Sequence, residues 1–306
     1  MNHFLIFVVS LVGLLLSSNF VLESSEKIGK KLGLSPLTIG IFFIGFGTSL
    51  PELIVSHLAC LEGRQEISLG NILGSNISNT ALILGLAALV QNVNLKGKIQ
   101  LKQILFHLFI TCLLGVFYFF FKAFNPITGS IFLVFFAIYM WQIIFSNSSI
   151  VESIEDIPEE NMLKAGGILL ISLGLMFFSG KYLVSSISDL GRLLGISDYI
   201  ISAVVLAFGT SAPELFTTII ATVKNKDVNL ILGNILGSNV FNLCLVLGTT
   251  SFYTYSITHP LDFEIGVLLI MSLYLLAMSF FEGHLARKSG FVLLLIYAYS
   301  IFFWLS

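Results

Sequence analysis

The chain has 306 residues, of which 56% are hydrophobic and only 10% are charged. Soluble domains carry about 25% charged residues, so this composition excludes a water-soluble protein and indicates an integral membrane protein. The net charge of −2 gives no reason to expect a nucleic-acid partner. The three cysteines lie scattered in apolar runs, which argues against a disulfide framework or a zinc site.

Ten segments are apolar over the roughly 20 residues that a membrane-spanning helix needs. The first lacks the basic stretch and the cleavage site of a signal peptide, so we interpret it as a membrane helix. The predicted spans cover residues 3–22, 36–61, 68–91, 101–121, 126–146, 164–185, 197–222, 228–252, 261–281 and 289–306. An acidic segment between spans five and six divides the chain. We predict a first five-helix repeat at 1–146, an acidic cytoplasmic linker at 147–163 and a second five-helix repeat at 164–306.

The two halves share a duplicated pair of motifs. Residues 45–52 read Gly-Phe-Gly-Thr-Ser-Leu-Pro-Glu, and residues 207–214 read Ala-Phe-Gly-Thr-Ser-Ala-Pro-Glu. Residues 70–79 and 233–242 both begin Gly-Asn-Ile-Leu-Gly-Ser-Asn and end in Asn. Because each repeat has an odd number of spans, the second repeat inserts upside down relative to the first. This is the inverted-topology architecture of secondary transporters.

The distribution of basic residues predicts the orientation of the chain. If the N-terminus lies outside, the inner loops hold 11 of the 15 Lys and Arg residues. Basic residues accumulate on the cytoplasmic side of membrane proteins. We therefore expect a multi-pass protein of the cell membrane with both termini on the extracellular or periplasmic side.

Two glutamates stand out among the 17 acidic residues, because only Glu52 and Glu214 lie deep within apolar spans. A carboxylate at the centre of a bilayer costs several kcal/mol unless it is paired or coordinated. Neither motif contains a Lys or Arg that could neutralise it. A bound cation is the partner that this pattern predicts.

The residues around the glutamates are rich in neutral oxygens. Pro51 and Pro213 remove backbone donors, and a helix broken at that point would free carbonyl oxygens. Such an all-oxygen shell suits Na+ or Ca2+, whereas softer metals would favour Cys or His, which both motifs lack. Small polar residues in membrane helices often only permit close packing, but packing does not explain the paired glutamates. The side chains that offer oxygens are Thr48, Ser49, Ser75, Asn79, Thr210, Ser211, Ser238 and Asn242.

The charge of the pair limits what it can hold. Two carboxylates balance one Ca2+ or two Na+, and a further Na+ would bind neutral oxygens and leave the loaded site positive. The two kinds of ion would then compete for one site, and mutually exclusive binding is the basis of antiport.

At these motifs the sequence resembles the cation/Ca2+ exchanger superfamily, specifically its prokaryotic sodium/calcium exchanger branch, over the whole chain. The resemblance implies an all-α membrane protein whose ten transmembrane helices form two inverted-topology five-helix repeats, with broken helices at the ion site. It implies that Glu52 and Glu214 coordinate Ca2+ and Na+, and that helices one and six slide across a rigid core. The other implied ligands are the hydroxyl or carbonyl groups of Thr48, Ser49, Thr210, Ser211, Ser75 and Ser238, the side chain of Asn79, and the backbone carbonyls of Gly45 and Ala207.

Two details separate this chain from other branches. Asn242 stands where some relatives carry Asp, and the resulting neutral pair with Asn79 argues against a requirement for K+. The proton/calcium branch typically carries Glu after its Gly-Asn, whereas Gly70-Asn71 and Gly233-Asn234 are followed by Ile-Leu-Gly-Ser. Both details favour Na+ as the driving ion.

We therefore predict an electrogenic antiporter that uses inward Na+ movement to expel Ca2+ by alternating access. We expect it to act as a monomer in the lipid bilayer, with Ca2+ and Na+ as substrates and no cofactor. The alternatives are a H+-driven or K+-dependent cation antiporter and a cation channel. An enzyme is not expected, because the motifs contain no catalytic constellation. His57 either reaches the ion path, or it faces a neighbouring helix or lies nearer the interface.

Overall fold

The computed structural model describes residues 2–63, 65–146, 159–193, 209–256 and 260–305. Within these ranges, nine helical stretches are long and apolar enough to cross a membrane, and they match nine of the ten predicted spans. The described part of the seventh predicted span is the apolar helix Ala212–Val223, and its first part lies outside the described residues. The predicted acidic linker also lies outside them up to residue 158.

The helices extend beyond several predicted spans, because the polar residues that follow an apolar run continue the helix instead of ending it. The first repeat contains α1 (Asn2–Lys31), α2 (Pro36–Ile39), a π-helix (Gly40–Gly45), α3 (Phe46–Thr48), α4 (Leu50–Leu61), α5 (Gln65–Ile77), a π-helix (Ser78–Ile83), α6 (Leu84–Val90), β1 (Val93–Asn94), α7 (Lys98–Phe121), β2 (Ala123–Phe124) and α8 (Pro126–Ser146). The second contains α9 (Glu159–Leu193), α10 (Ala212–Val223), α11 (Val228–Val240), a π-helix (Phe241–Val246), α12 (Leu247–Thr250), a 3-10 helix (Ser251–Tyr253), β3 (Tyr255–Ser256), α13 (Asp262–Phe281), β4 (His284–Leu285) and α14 (Arg287–Leu305).

Two short antiparallel ladders join the repeats. In one, β1 pairs with β4, with Val93 opposite Leu285, and in the other β2 pairs with β3, with Ala123 opposite Ser256. Each ladder takes one strand from each repeat. In chain order β1 corresponds to β3 and β2 corresponds to β4, so the two ladders are equivalent under exchange of the repeats. The π-helix that follows α5 likewise has its counterpart in the one that follows α11. The predicted architecture of two inverted repeats is confirmed.

The centre of the molecule depends on a close crossing of the second span over α11. A methyl group on Gly40 would overlap the carbonyl oxygen of Leu230, and one on Gly233 would overlap that of Leu37. A methyl group on Gly237 would lie only 2.9 Å from the Cα atom of Ile41. Because only glycine lets the two backbones approach this closely, these residues bring the motifs of the two repeats into contact.

The helices α1 and α9 pack against each other along their length, and α1 also contacts α10. The cytoplasmic end of α1, as the charge bias predicts it, is joined to the segment that follows α10 by two ion pairs. Glu23 Oε1 lies 2.6 Å from Lys224 Nζ, and Glu26 pairs with Lys226 in the same way.

Candidate functional site

Both glutamates lie in the first turn of a helix that begins directly after a serine. In the first repeat the helix breaks at Ser49 (φ −84°, ψ 0°), and α4 begins immediately after it with Pro51 and Glu52 in its first turn. Ser211 (φ −86°, ψ 6°) has the same geometry and is followed by Pro213 and Glu214. The predicted broken helix is confirmed at Ser49, and the segment that leads up to Ser211 lies outside the described residues up to residue 208. A first turn favours negative charge, because the helix dipole is positive at that end.

The two carboxylates are fully buried, interact with each other, and have no basic partner among the described residues. Glu52 and Glu214 both have 0% of their surface exposed. They are close enough to interact electrostatically, and among the described residues none of their four carboxylate oxygens has a hydrogen-bond partner. Burying two unpaired charges side by side is costly, and a bound cation would remove that cost.

Hydroxyl groups surround the carboxylates and connect the two repeats. Ser75 lies beside Glu52, while Thr48, Ser49 and Ser238 lie beside Glu214, although none reaches hydrogen-bond geometry with a carboxylate. Their oxygens therefore lie close to the position that a bound cation would take.

The hydroxyls pair across the repeat boundary in a reciprocal pattern. Thr48 Oγ1 lies 3.3 Å from Ser238 Oγ, and Ser75 Oγ lies 3.0 Å from Thr210 Oγ1. The carbonyl oxygen of Gly45 accepts a hydrogen bond from Ser238 Oγ at 3.2 Å. Oxygens from both motifs of both repeats therefore converge on one region.

Four further predicted ligands have buried polar atoms that lack partners among the described residues. Asn79 and Asn242 are fully buried, and both amide atoms of each are unpaired. Ser49 Oγ and Ser211 Oγ are buried and unpaired as well. Ala207 lies outside the described residues. Eleven of the twelve predicted site residues are thus described. Among them, the glutamates and the hydroxyls of Thr48, Ser49, Ser75, Thr210 and Ser238 lie close together between the repeats.

The sequence reasoning missed the amides that hold the glutamate helices. Asn71 Nδ2 donates to the backbone carbonyl of Glu52 at 3.3 Å and to Ser56 Oγ at 2.9 Å. In the second repeat, Asn234 Nδ2 lies 3.5 Å from Thr218 Oγ1, and its Oδ1 accepts from Thr48 Oγ1 at 3.4 Å. The duplicated Gly-Asn pair was the signal that could have found them.

His57 faces a neighbouring helix, as one of the two interpretations of it predicts. Its Nε2 lies 2.9 Å from Thr249 Oγ1, and its Nδ1 lies 3.3 Å from Tyr253 OH. Both ring nitrogens are therefore engaged in holding α4 against the end of the eighth span.

The site differs from a classical protein metal centre. No group of three or more His, Cys, Asp or Glu side chains that could hold a metal ion occurs among the described residues. Two carboxylates and many neutral oxygens suit a hard cation that binds to the site and is then released from it.

The chain is similar to known proteins over most of its length. Residues 2–145 and 164–305 match the family described as sodium/calcium exchanger protein. The chain is 30% identical to the sodium/calcium exchanger MaX1 of Methanosarcina acetivorans, over 96% of both chains. It is 31% identical to the inner membrane protein YrbG of Escherichia coli, over 86% of this chain and 85% of that one. The solved structure of the sodium-calcium exchanger NCX_Mj soaked with Na+ superposes with a TM-score of 0.87 at 29% identity, covering 98% of this chain and 97% of that chain.

Proposed function

Because this chain belongs to the sodium/calcium exchanger family, it is a membrane antiporter of Na+ and Ca2+, and we propose that Glu52 and Glu214 hold both ions in turn. The observation that carries the site assignment is the pair of interacting, fully buried carboxylates that have no basic partner among the described residues. The chain is a transporter.

We propose that the ligand shell is built from the two motifs of both repeats. The carboxylates supply the negative charge that one Ca2+ or two Na+ would balance. Thr48, Ser75, Thr210 and Ser238 supply hydroxyl oxygens, and their reciprocal hydrogen bonds hold these oxygens at the boundary between the repeats. Gly45 supplies a backbone carbonyl. The other members of the proposed shell are Ser49, Asn79, Ala207, Ser211 and Asn242.

The same charge balance supports electrogenic exchange by alternating access. If more than two Na+ replace one Ca2+, positive charge moves with the Na+, and the Na+ gradient and the membrane potential together expel Ca2+. The neutral pair Asn79 and Asn242 adds no further charge to the site. We propose that the chain acts as a monomer in the cell membrane, since each repeat contributes one glutamate to a site enclosed by a single chain. We also propose that both termini lie outside, which the distribution of Lys and Arg residues supports.

The experiment that tests the site measures radioactive Ca2+ uptake into Na+-loaded proteoliposomes. Glu52→Gln and Glu214→Gln each remove one charge from the pair while keeping the shape of the side chain. We expect both variants to abolish Na+-dependent uptake while eluting as folded protein. Glu62→Gln, the same change at the exposed end of α4, serves as the control and should transport normally.

Near-normal uptake by either buried variant would refute the site assignment. Replacing the Na+ gradient by a H+ or K+ gradient tests the driving ion, and uptake that needs no counter-ion would indicate a channel. A K+ diffusion potential set with valinomycin tests the charge movement. An inside-positive potential should accelerate Ca2+ uptake, because net positive charge leaves the vesicle.

A further inference from the structure

The ladder between β1 and β4 brings two loops of the inner face together. Leu95 N donates to the carbonyl of Gly283 at 2.9 Å, extending the ladder beyond its two residue pairs. Gly283 has a φ of +72°, which favours glycine, and a side chain there would overlap Lys96. The loop before α7 and the loop before α14 therefore lie side by side.

These loops and the first turns of their helices gather an excess of positive charge. All five cationic side chains are exposed, and within the described part of the chain none forms an ion pair with a carboxylate. The acidic residue in the loop before α14 is Glu282. We call this surface the inner basic patch, and it consists of Lys96, Lys98, Lys102, Arg287 and Lys288.

The equivalent surface on the opposite face of the membrane is built differently. There the ladder between β2 and β3 precedes α8, whose first N–H groups are capped by Asn125 Oδ1 at 2.9 and 3.1 Å. On that face α13 begins with Asp262 and Glu264 in its first turn. At the outer ladder, the N-terminus of α13 therefore carries negative charge, which the positive end of the helix dipole favours.

The inner basic patch reverses this arrangement. The helix α7 begins after Gly97 without a side-chain cap, and the first turns of α7 and α14 carry no acidic residue. Lys98, Arg287 and Lys288 instead add positive charge to the positive end of a helix dipole. The positive-inside rule accounts for basic residues on this face, but it does not account for the placement of five of the 11 beside the N-termini of two neighbouring helices.

We propose that the inner basic patch binds the phosphodiester headgroup of an anionic phospholipid of the surrounding membrane. The patch stands where the apolar helices α7 and α14 enter the bilayer. The exposed side chains of Leu105 and Phe109 on α7, and of Phe291 and Leu295 on α14, offer apolar surface to the acyl chains. Clusters of Lys and Arg at the membrane surface attract anionic lipids in this way.

Native mass spectrometry of the purified protein tests this binding. Phosphatidylglycerol and phosphatidylcholine with identical acyl chains are titrated separately, and their dissociation constants are compared. We expect phosphatidylglycerol to bind about tenfold more tightly, given the attraction that each Lys or Arg contributes near a membrane surface. The preference should shrink as the salt concentration rises, because the charges are exposed.

Three double variants locate the site. Lys98→Gln with Lys288→Gln should remove most of the preference, whereas Lys98→Arg with Lys288→Arg should retain it. Lys27→Gln with Lys164→Gln removes the same charge from the same face away from the patch and should also retain it. A preference equally lost in the last variant, or kept in the first, would overturn the proposal, as would equal binding of both lipids by the unchanged protein.

Discussion

At the scale of single residues, the sequence predicts which side chains matter better than it predicts how they pair. Glu52 and Glu214 could be singled out because a carboxylate deep in an apolar span needs a partner. Each motif carries its hydroxyl residues within one repeat, but in the structure the hydroxyls pair between repeats, Thr48 with Ser238 and Ser75 with Thr210. Such pairs follow from how the repeats cross, and nothing in the linear order of the chain encodes that crossing.

Asn71 illustrates a residue that acts on the site through its neighbours. Its side chain is buried and bonds to the backbone of Glu52 and to Ser56, so it fixes the first turns of α4 against α5. We expect Asn71→Ala to weaken apparent Ca2+ affinity about tenfold, because losing a buried hydrogen bond costs about 1–3 kcal/mol and loosens the glutamate helix. The measurement is the concentration dependence of Na+-driven Ca2+ uptake.

The control for this variant is Ser272→Ala. Ser272 is fully buried and lies 3.0 Å from His107 Nδ1, so its loss also removes a buried polar contact, but one between α7 and α13. It should lower the melting temperature while leaving the Ca2+ dependence unchanged. If Asn71→Ala shifted only the melting temperature, Asn71 would have a purely structural role.

At the scale of helices and strands, the break at Ser49 and the matching backbone geometry at Ser211 were predictable, because Pro51 and Pro213 remove donors that would continue a helix. The π-helices around Asn79 and Asn242 were not predictable from the sequence. Their extra residue per turn depends on packing between repeats, and the local sequence there remains compatible with an ordinary α-helix. Residue spacing alone therefore misplaces the side chains beyond such a turn.

The glycine crossing between α2 and α11 gives a prediction about stability. We expect Gly233→Ala to lower the free energy of unfolding by about 1–3 kcal/mol or more, because its methyl group would overlap the backbone oxygen of Leu37. The overlapping atom belongs to the backbone, so no side chain can rotate away. Thermal unfolding of the purified protein, followed by tryptophan fluorescence, measures the change.

Gly266→Ala provides the comparison near the start of α13. Its methyl group meets no atom of the described residues within 4 Å, and alanine is the better helix former by about 1 kcal/mol. This variant should melt at the same temperature as the unchanged protein or higher. Similar destabilisation by both substitutions would mean that the crossing tolerates a methyl group and that its closeness is not what holds the repeats together.

At the scale of the whole molecule, the odd number of spans in each repeat was enough to predict the inverted arrangement, and the reciprocal ladders confirm it. The two ion pairs between the end of α1 and the segment after α10 could not be predicted, because their partners are about 200 residues apart. They join α1 to the part of the chain that carries Glu214. If α1 and α9 slide together during transport, these contacts must break and form again in each cycle.

Two cross-links test whether α1 and α9 slide together during transport or stay fixed against the core. In a chain without its three native cysteines, Gly13→Cys with Ser179→Cys would join α1 to α9, since a Cβ atom at residue 13 lies 3.2 Å from Ser179 Cβ. Glu23→Cys with Lys224→Cys, linked by a cleavable bifunctional thiol reagent, would join α1 to the core instead. We expect the first cross-link to leave Na+-driven Ca2+ uptake intact, because both helices travel together, and the second to stop uptake until the reagent is cleaved. Full uptake with α1 fixed to the core would exclude sliding of α1, and loss of uptake with only α1 and α9 joined would show that the two helices move separately.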